Sequence, residues 1–284
     1  TVLEGGKLVG AIWNGVNLNN SKLFGVDLSS STAIRAVVVN SLIKNVSLAA
    51  GRWERTVMLA NDVPVKETEK VSLSFEATEI DDRERQRIEA LGYVGMGKAD
   101  CCLEGIDGRH FQLRETFFSG VRLLDDDFSE ASFDGVVLQD CTIENTCFSN
   151  ATLSGLGMIG GRLLNCKMDS CSLEGAQFER VELDGVSFQN ADLKEARFEG
   201  MDFRSVELPA SLPGTEFVEC EFGSINFEGY DLRNASFERC DLSGARLRGA
   251  AIDGARFERC DMGSADVSSI DAEKVEFTNS RMEN

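Results

Sequence analysis

The residues of this chain best suited to chemistry are its cysteines, its carboxylates and one histidine. Cys220, Cys240 and Cys260 stand at twenty-residue intervals, and Cys141, Cys166 and Cys171 at multiples of five. No CxxC pair occurs, and His110 alone cannot complete a zinc site with them, so neither a disulfide framework nor a metal centre follows. These thiols read as small apolar core residues of the kind a reducing cytosol keeps unpaired. Gly155-Leu-Gly157-Met-Ile-Gly160 has the glycine spacing of a dinucleotide loop, which needs a strand before it and a helix after it. His110 has no nucleophile motif around it. The remaining candidate is Asp125-Asp126-Asp127, three adjacent carboxylates that could hold a cation or a basic partner.

Whatever positions these residues is periodic. Counting in fives from Leu3, nearly every fifth residue is large and apolar: Leu8, Trp13, Leu18, Leu23, Leu28 and onward to Trp53. The comb resumes in phase at Leu103, reaches Leu208, and restarts one residue out of step at Phe217. Two residues before each tooth the chain favours small residues, as at Ala131, Ala176, Ala196, Ala235 and Ala255. Neither a helix nor a flat strand has a period of five. Two inward side chains separated by an outward one fit a short extended segment, and the rest of the unit turns a corner. Four corners close a square lap of twenty residues, the interval at which Phe217, Phe237, Phe257 and Phe277 recur. In this frame Met158 and Leu163 are teeth, so Gly155, Gly157 and Gly160 are corner residues rather than a nucleotide loop. Asp126 falls on an inward position, where a bare carboxylate is costly. Either the coil bulges there or the aspartate is paired inside.

The units Ala191-Asp192-Leu193, Cys240-Asp241-Leu242 and Ala265-Asp266-Val267 resemble the pentapeptide-repeat family, whose consensus is roughly Ala-(Asp/Asn)-Leu-X-X. The resemblance covers residues 1–58 and 101–284. It implies an all-β fold, a right-handed quadrilateral β-helix. About twelve coils at ~4.8 Å each give a rod of roughly 57 Å, with near-additive stability along its length.

Three departures interrupt the pattern and divide the chain. Residues 59–100 separate the N-terminal coils (1–58) from the central coils (101–208) without changing the comb's phase, as an extruded arm would. In that arm Val71, Leu73, Phe75 and Ala77 alternate as in a strand, and Asp81 to Leu91 reads as a helix carrying Arg83, Arg85 and Arg87. Ile80, Ile88 and Leu91 could pack on the coils. Residues 209–216, with Pro209, Pro213 and Gly214, read as a bulged loop with a register shift before the C-terminal coils (217–284). The third departure is the aspartate triplet.

Charge is placed unevenly: residues 101–284 hold 35 Asp and Glu against 17 Lys and Arg, while residues 1–100 hold 13 against 12. A net charge of −18 over some nine coils is about one per 2.4 Å, against one per ~1.7 Å in duplex DNA. Like charges make nucleic acid a poor direct partner and a basic protein a good one. No run approaches a membrane span, and no leader is visible. The chain opens at Thr1 inside a repeat, as a piece of a longer protein would, and its ends leave room for oligomerisation. The expectation is a cytoplasmic, non-catalytic scaffold with no cofactor. It would bind a protein through its acidic faces and the inserted arm, alone or within a larger effector or secretion-related protein. The alternative comes from the family resemblance: some members imitate DNA and bind bacterial type II topoisomerases such as gyrase. Candidate contacts are Asp125, Asp126, Asp127, Glu216, Glu219, Glu221, Glu238, Asp241, Glu258 and Asp261, with Arg83, Arg85 and Arg87 on the arm.

Overall fold

Within each five-residue unit the backbone follows from the side chains. The strand Ser236–Glu238 places Phe237 inward with no exposed surface, and Ala235 points inward two residues earlier. Two residues after the tooth the chain turns through a left-handed conformation, at Arg239 with φ +54°. Glycine fills many of these corners, since only glycine enters that region without cost. At Gly254 (φ +70°) a Cβ would in addition displace the Asn234 side-chain oxygen. The Asp of the repeat closes a turn. Asp202, Asp241, Asp261 and Asp266 each accept the N–H two residues on, at 2.9, 2.9, 3.0 and 2.9 Å. This is the local bond that aspartate forms better than longer side chains.

The structure is a computed structural model that describes residues 2–19, 21–59, 101–270 and 273–282. The chain divides into two compact units, Thr1–Thr152 and Leu153–Asn284. The described residues of both form a parallel β-solenoid of short strands.

In the first unit, strands twenty residues apart pair in parallel register: Leu23 faces Ile43, Ala33 faces Trp53, and Val38 faces Met58. The fourth side is a ladder of single bridges through Asp27, Ser47, Asp107, Asp127 and Cys147. The arm does not break this order. Leu42–Lys44 pairs directly with Cys102–Glu104, and Val57–Leu59 with Phe117–Ser119, each at a sixty-residue step. The arm itself, with Arg83, Arg85 and Arg87, lies outside the described residues. Aromatic rings fill the core, with Trp53 edge-on to Phe111 at 5.6 Å and Phe128 stacked on Phe148 at 5.7 Å. Gly108 occupies an inward position that the comb assigns to a large residue. The Phe128 ring fills that space, and a Cβ on Gly108 would collide with it. Ala33, between Trp13 and Trp53 in one column, leaves an apolar cavity of about 20 Å³.

In the second unit, Phe178, Phe198, Phe217, Phe237, Phe257 and Phe277 stack with centroids 5.0–5.4 Å apart. The cysteine column lies beside them. The Cys220, Cys240 and Cys260 sulfurs stand 3.4, 3.4 and 3.3 Å from the carbonyls of Phe198, Phe217 and Phe237. At the next coil the Ser280 hydroxyl donates to Phe257 O at 3.0 Å. The bulge expected at 209–216 takes the form of a shortened unit instead: Leu208 and Leu212 are both buried and only four residues apart. As a result Phe198 pairs with Phe217 at a nineteen-residue step, and the twenty-residue register resumes with Phe217 opposite Phe237.

Candidate interaction surface

The inward positions of every unit are committed to packing, so a surface must be built from the three outward ones. In the second unit, bridges join Asp202 to Glu221, Glu221 to Asp241, and Asp241 to Asp261. One side therefore carries a column of four carboxylates, one per coil. Asp202 and Glu221 are held by Arg204 at 2.6 and 3.1 Å, and Asp261 lies 4.0 Å from Arg281. Asp241, in the middle, accepts the Ser243 N–H. The hydrogen bonds from Arg204 hold the Asp202 carboxyl below the usual carboxylate range.

The adjoining side, built on the phenylalanine stack, presents Glu216, Glu219, Glu238 and Glu258 outward. Glu216 pairs with Arg197 at 2.9 Å, Glu219 with Arg239 at 2.8 Å, Glu238 also with Arg239, and Glu258 with Arg259 at 3.7 Å. The seven carboxylates proposed from the sequence thus lie on two adjoining sides, with Glu221, Asp241 and Asp261 in one column, Glu238 and Glu258 in another, and Glu216 and Glu219 at separate positions among the arginines. Those arginines were missed in the sequence. Their signal was the lap itself, since Arg239 stands twenty residues after Glu219 and Arg256 twenty before Glu276, which it contacts at 3.0 Å.

In the first unit the aspartate triplet does not act together. Asp125 is exposed at a corner with φ +55° and accepts from Asn145 Nδ2 at 3.0 Å. Asp127 points outward and accepts the Ser129 N–H at 3.0 Å, with Arg109 at 4.0 Å. Asp126 points inward and is 2 % exposed. The coil does not bulge around it: Asp127 still bridges Asp107 and Cys147. Its Oδ1 accepts the Ile106 N–H at 2.8 Å, while Oδ2 has no hydrogen-bond partner. Burial pushes its pKa up to about 8, helped by the nearby charges of Asp125 and Glu104. It is therefore a core group and offers a partner nothing. Among the described residues no group of three His, Cys, Asp or Glu side chains is placed to hold a metal ion. Gly155 and Gly160 are corners with φ +67° and +61°, but Gly157, expected at a corner, opens the strand Gly157–Ile159; strands rather than a helix follow these glycines, so a phosphate would meet no helix terminus here.

Large apolar side chains are exposed at Leu8, Val9 and Ile12 in the first unit and at Phe277 and Met282 in the second.

Five-residue units with two inward side chains, stacked at twenty-residue register, define a four-sided parallel β-helix. The model of a pentapeptide repeat region matches residues 210–284, and that of pentapeptide repeats matches residues 127–155 and 171–208. The chain belongs to the pentapeptide-repeat family. Among solved structures it is similar to a trypsin-treated variant of QnrB1, described as a plasmid-mediated fluoroquinolone resistance protein. The two are 14 % identical over 84 % of this chain and 89 % of that one, with a TM-score of 0.29. It is also similar to HetL of the cyanobacterium Nostoc sp. strain PCC 7120, a protein involved in heterocyst differentiation regulation. Identity there is 16 %, over 95 % of this chain and 90 % of that one, with a TM-score of 0.22. A third likeness is Rfr23 of the cyanobacterium Cyanothece 51142, at 14 % identity over 71 % and 87 % of the chains and a TM-score of 0.21. No curated protein sequence matches the chain.

Proposed function

We propose that the chain is a non-catalytic scaffold that receives a basic protein segment on the acidic surface of its second unit. The observation that carries this reading is the column Asp202, Glu221, Asp241 and Asp261, four outward carboxylates one coil apart. A lysine- or arginine-rich segment lying along the column would meet one carboxylate every ~4.8 Å, a spacing that extended side chains can follow. The intrachain arginines do not forbid this. Exposed ion pairs add little to stability, so they can exchange partners at small cost.

The same ion pairs weigh against the gyrase-binding, DNA-imitating alternative. A phosphate backbone presents every charge unneutralised, whereas Glu216, Glu219, Glu221, Glu238 and Glu258 each have an arginine within 4.0 Å. Reversing two charges, Glu221→Lys with Asp241→Lys, should abolish salt-sensitive capture of basic proteins while leaving the fold intact by circular dichroism. Partners that stay bound to this variant would refute the proposed surface. A gyrase supercoiling assay at low salt separates the two readings, because inhibition or protection that fades with added salt would favour the DNA mimic.

A further inference from the structure

We propose that Cys220, Cys240 and Cys260 form a site for a soft monovalent metal ion of the copper(I) class, held in line between two thiolates on neighbouring coils of the second unit. The three residues occupy one inward column, and Met201 precedes them in it. The backbone fixes this order: Glu221, Asp241 and Asp261 donate their N–H groups to the carbonyls of Met201, Cys220 and Cys240 at 2.8, 3.0 and 3.0 Å. Four sulfur-bearing side chains therefore follow one another on successive coils, all of them buried. The next coil carries Ser280, whose hydroxyl accepts the Cys260 N–H at 3.1 Å. The three thiols share one orientation, each donating to a carbonyl of the coil beneath. Hydrogen bonds also link the Cys240 thiol to those of Cys220 and Cys260, so neighbouring sulfurs lie within reach of one another.

The other inward cysteines supply the control. In the same unit Cys166 and Cys171 accept from Ser187 and Asp192, which places Val186 and Ala191 above them on the next coil. In the first unit Val121 stands between Cys101 and Cys141, since Arg122 donates to Cys101 and Thr142 to Val121. Packing asks only for a small residue at this kind of position, as the buried Ala235 and Ala255 show. It does not ask for three thiols in succession.

The spacing selects the chemistry. Stacked residues of parallel strands hold their Cβ atoms about as far apart as their backbones, ~4.8 Å. A disulfide requires about 3.5–4.5 Å, so it would draw the coils together. Two collinear metal–thiolate bonds of about 2.3 Å span about 4.6 Å, which the coil spacing already provides. Zinc needs a tetrahedron of ligands, and no group of three is placed to hold a metal ion among the described residues. Thiolate and thioether sulfur favour copper(I). On binding, two S–H bonds break, two metal–sulfur bonds form and two protons pass to solvent, with no electron transferred. The single negative charge that results is spread over polarisable sulfur.

The test titrates the reduced full chain with copper(I), without oxygen, against a chromophoric copper(I) chelator. Readings are taken to constancy, because entry requires a coil to open transiently. The chain should withdraw about one ion, more tightly as pH rises and protons leave more readily. Cys240 belongs to both neighbouring pairs, so Cys240→Ser should lose the ion. Cys220→Ser and Cys260→Ser should each keep it, since one pair remains, and the two together should lose it. Cys147→Ser and Cys171→Ser should keep it. Serine suits the column, as Ser280 shows, and circular dichroism should stay unchanged. Should Cys240→Ser fail to fold, the single variants against their double carry the same test. Undiminished uptake by Cys240→Ser or by the double variant would overturn the proposal. So would a native chain that draws no copper from the chelator, or one that does so only after denaturant has opened the coils.

Discussion

Replacing Asp126 by Asn should stabilise the first unit at neutral pH, and the size of the gain follows from the site. The carboxyl is buried inside the coil with one oxygen bonded to the Ile106 N–H and the other unpartnered. Its pKa rises from 3.8 to about 8. A group whose folded pKa exceeds its unfolded value favours the folded state fully at low pH. It loses that contribution as pH climbs toward the folded pKa. Between about pH 4 and 8 the loss is about 1.4 kcal/mol per pH unit, which accumulates to about 4 kcal/mol by pH 7. Asparagine keeps the acceptor for the Ile106 N–H and carries no charge, but its amide protons have no evident partner, a cost of about 1–2 kcal/mol. The net expectation at pH 7 is a gain of about 2–3 kcal/mol, shrinking to nothing or reversing near pH 5. Denaturation followed by tryptophan fluorescence reads the correct unit, because the chain's two tryptophans, Trp13 and Trp53, both lie in it. Other carboxylates do not confuse the window. Asp27, Asp107, Asp202, Asp231 and Asp266 are shifted down, so their contributions are lost only in acid below it. Parallel stability curves for wild type and Asp126→Asn from about pH 5 to 8 would refute the account of a buried, uncompensated carboxyl.

Three further outcomes are expected. Gly108→Ala should destabilise the first unit by about 2 kcal/mol by forcing the Phe128 ring from its place, read as a lower denaturation midpoint. Ala33→Val should stabilise the first unit by about 1 kcal/mol, read as a higher midpoint, since it adds methyl groups to an apolar cavity bounded by Trp13 and Trp53 and suits a strand. Arg239→Ala should leave the melting of the second unit unchanged while freeing Glu219 and Glu238, so that a lysine-rich peptide binds more tightly and with steeper salt dependence in titration calorimetry.

The lap was legible because every coil repeats it. Phe217, Phe237 and Phe257 announce a column from their spacing alone, and they form one. Features that depend on neighbours in the column were not legible from the five-residue pattern. Gly108 breaks the comb, and only the ring position of Phe128 one coil later explains why. The proline-bearing stretch reads as a bulged loop with a register shift; the shift is there, as a nineteen-residue step made by a unit one residue short. Prolines mark a turn without saying whether the chain lengthens or shortens there. The outward carboxylates were visible as a set, but some of their arginine partners lie about a full lap away, as Arg239 does from Glu219 and Arg197 from Glu216. Asp126 was recognisable as misplaced from its inward slot. What it touches required the coil beneath.

The nineteen-residue step between Phe198 and Phe217 has a bearing on how such a chain changes length over generations. In an ordinary sheet, losing one residue turns every following side chain to the wrong face. Here the loss is absorbed at a single bend, and all later coils keep their phenylalanines aligned. Deletions at bends are therefore tolerated in a way that deletions within strands are not. Because Phe-Glu-Arg-Cys-Asp occurs at both 237–241 and 257–261, misaligned exchange between the two copies would add or remove one complete lap and leave a foldable product.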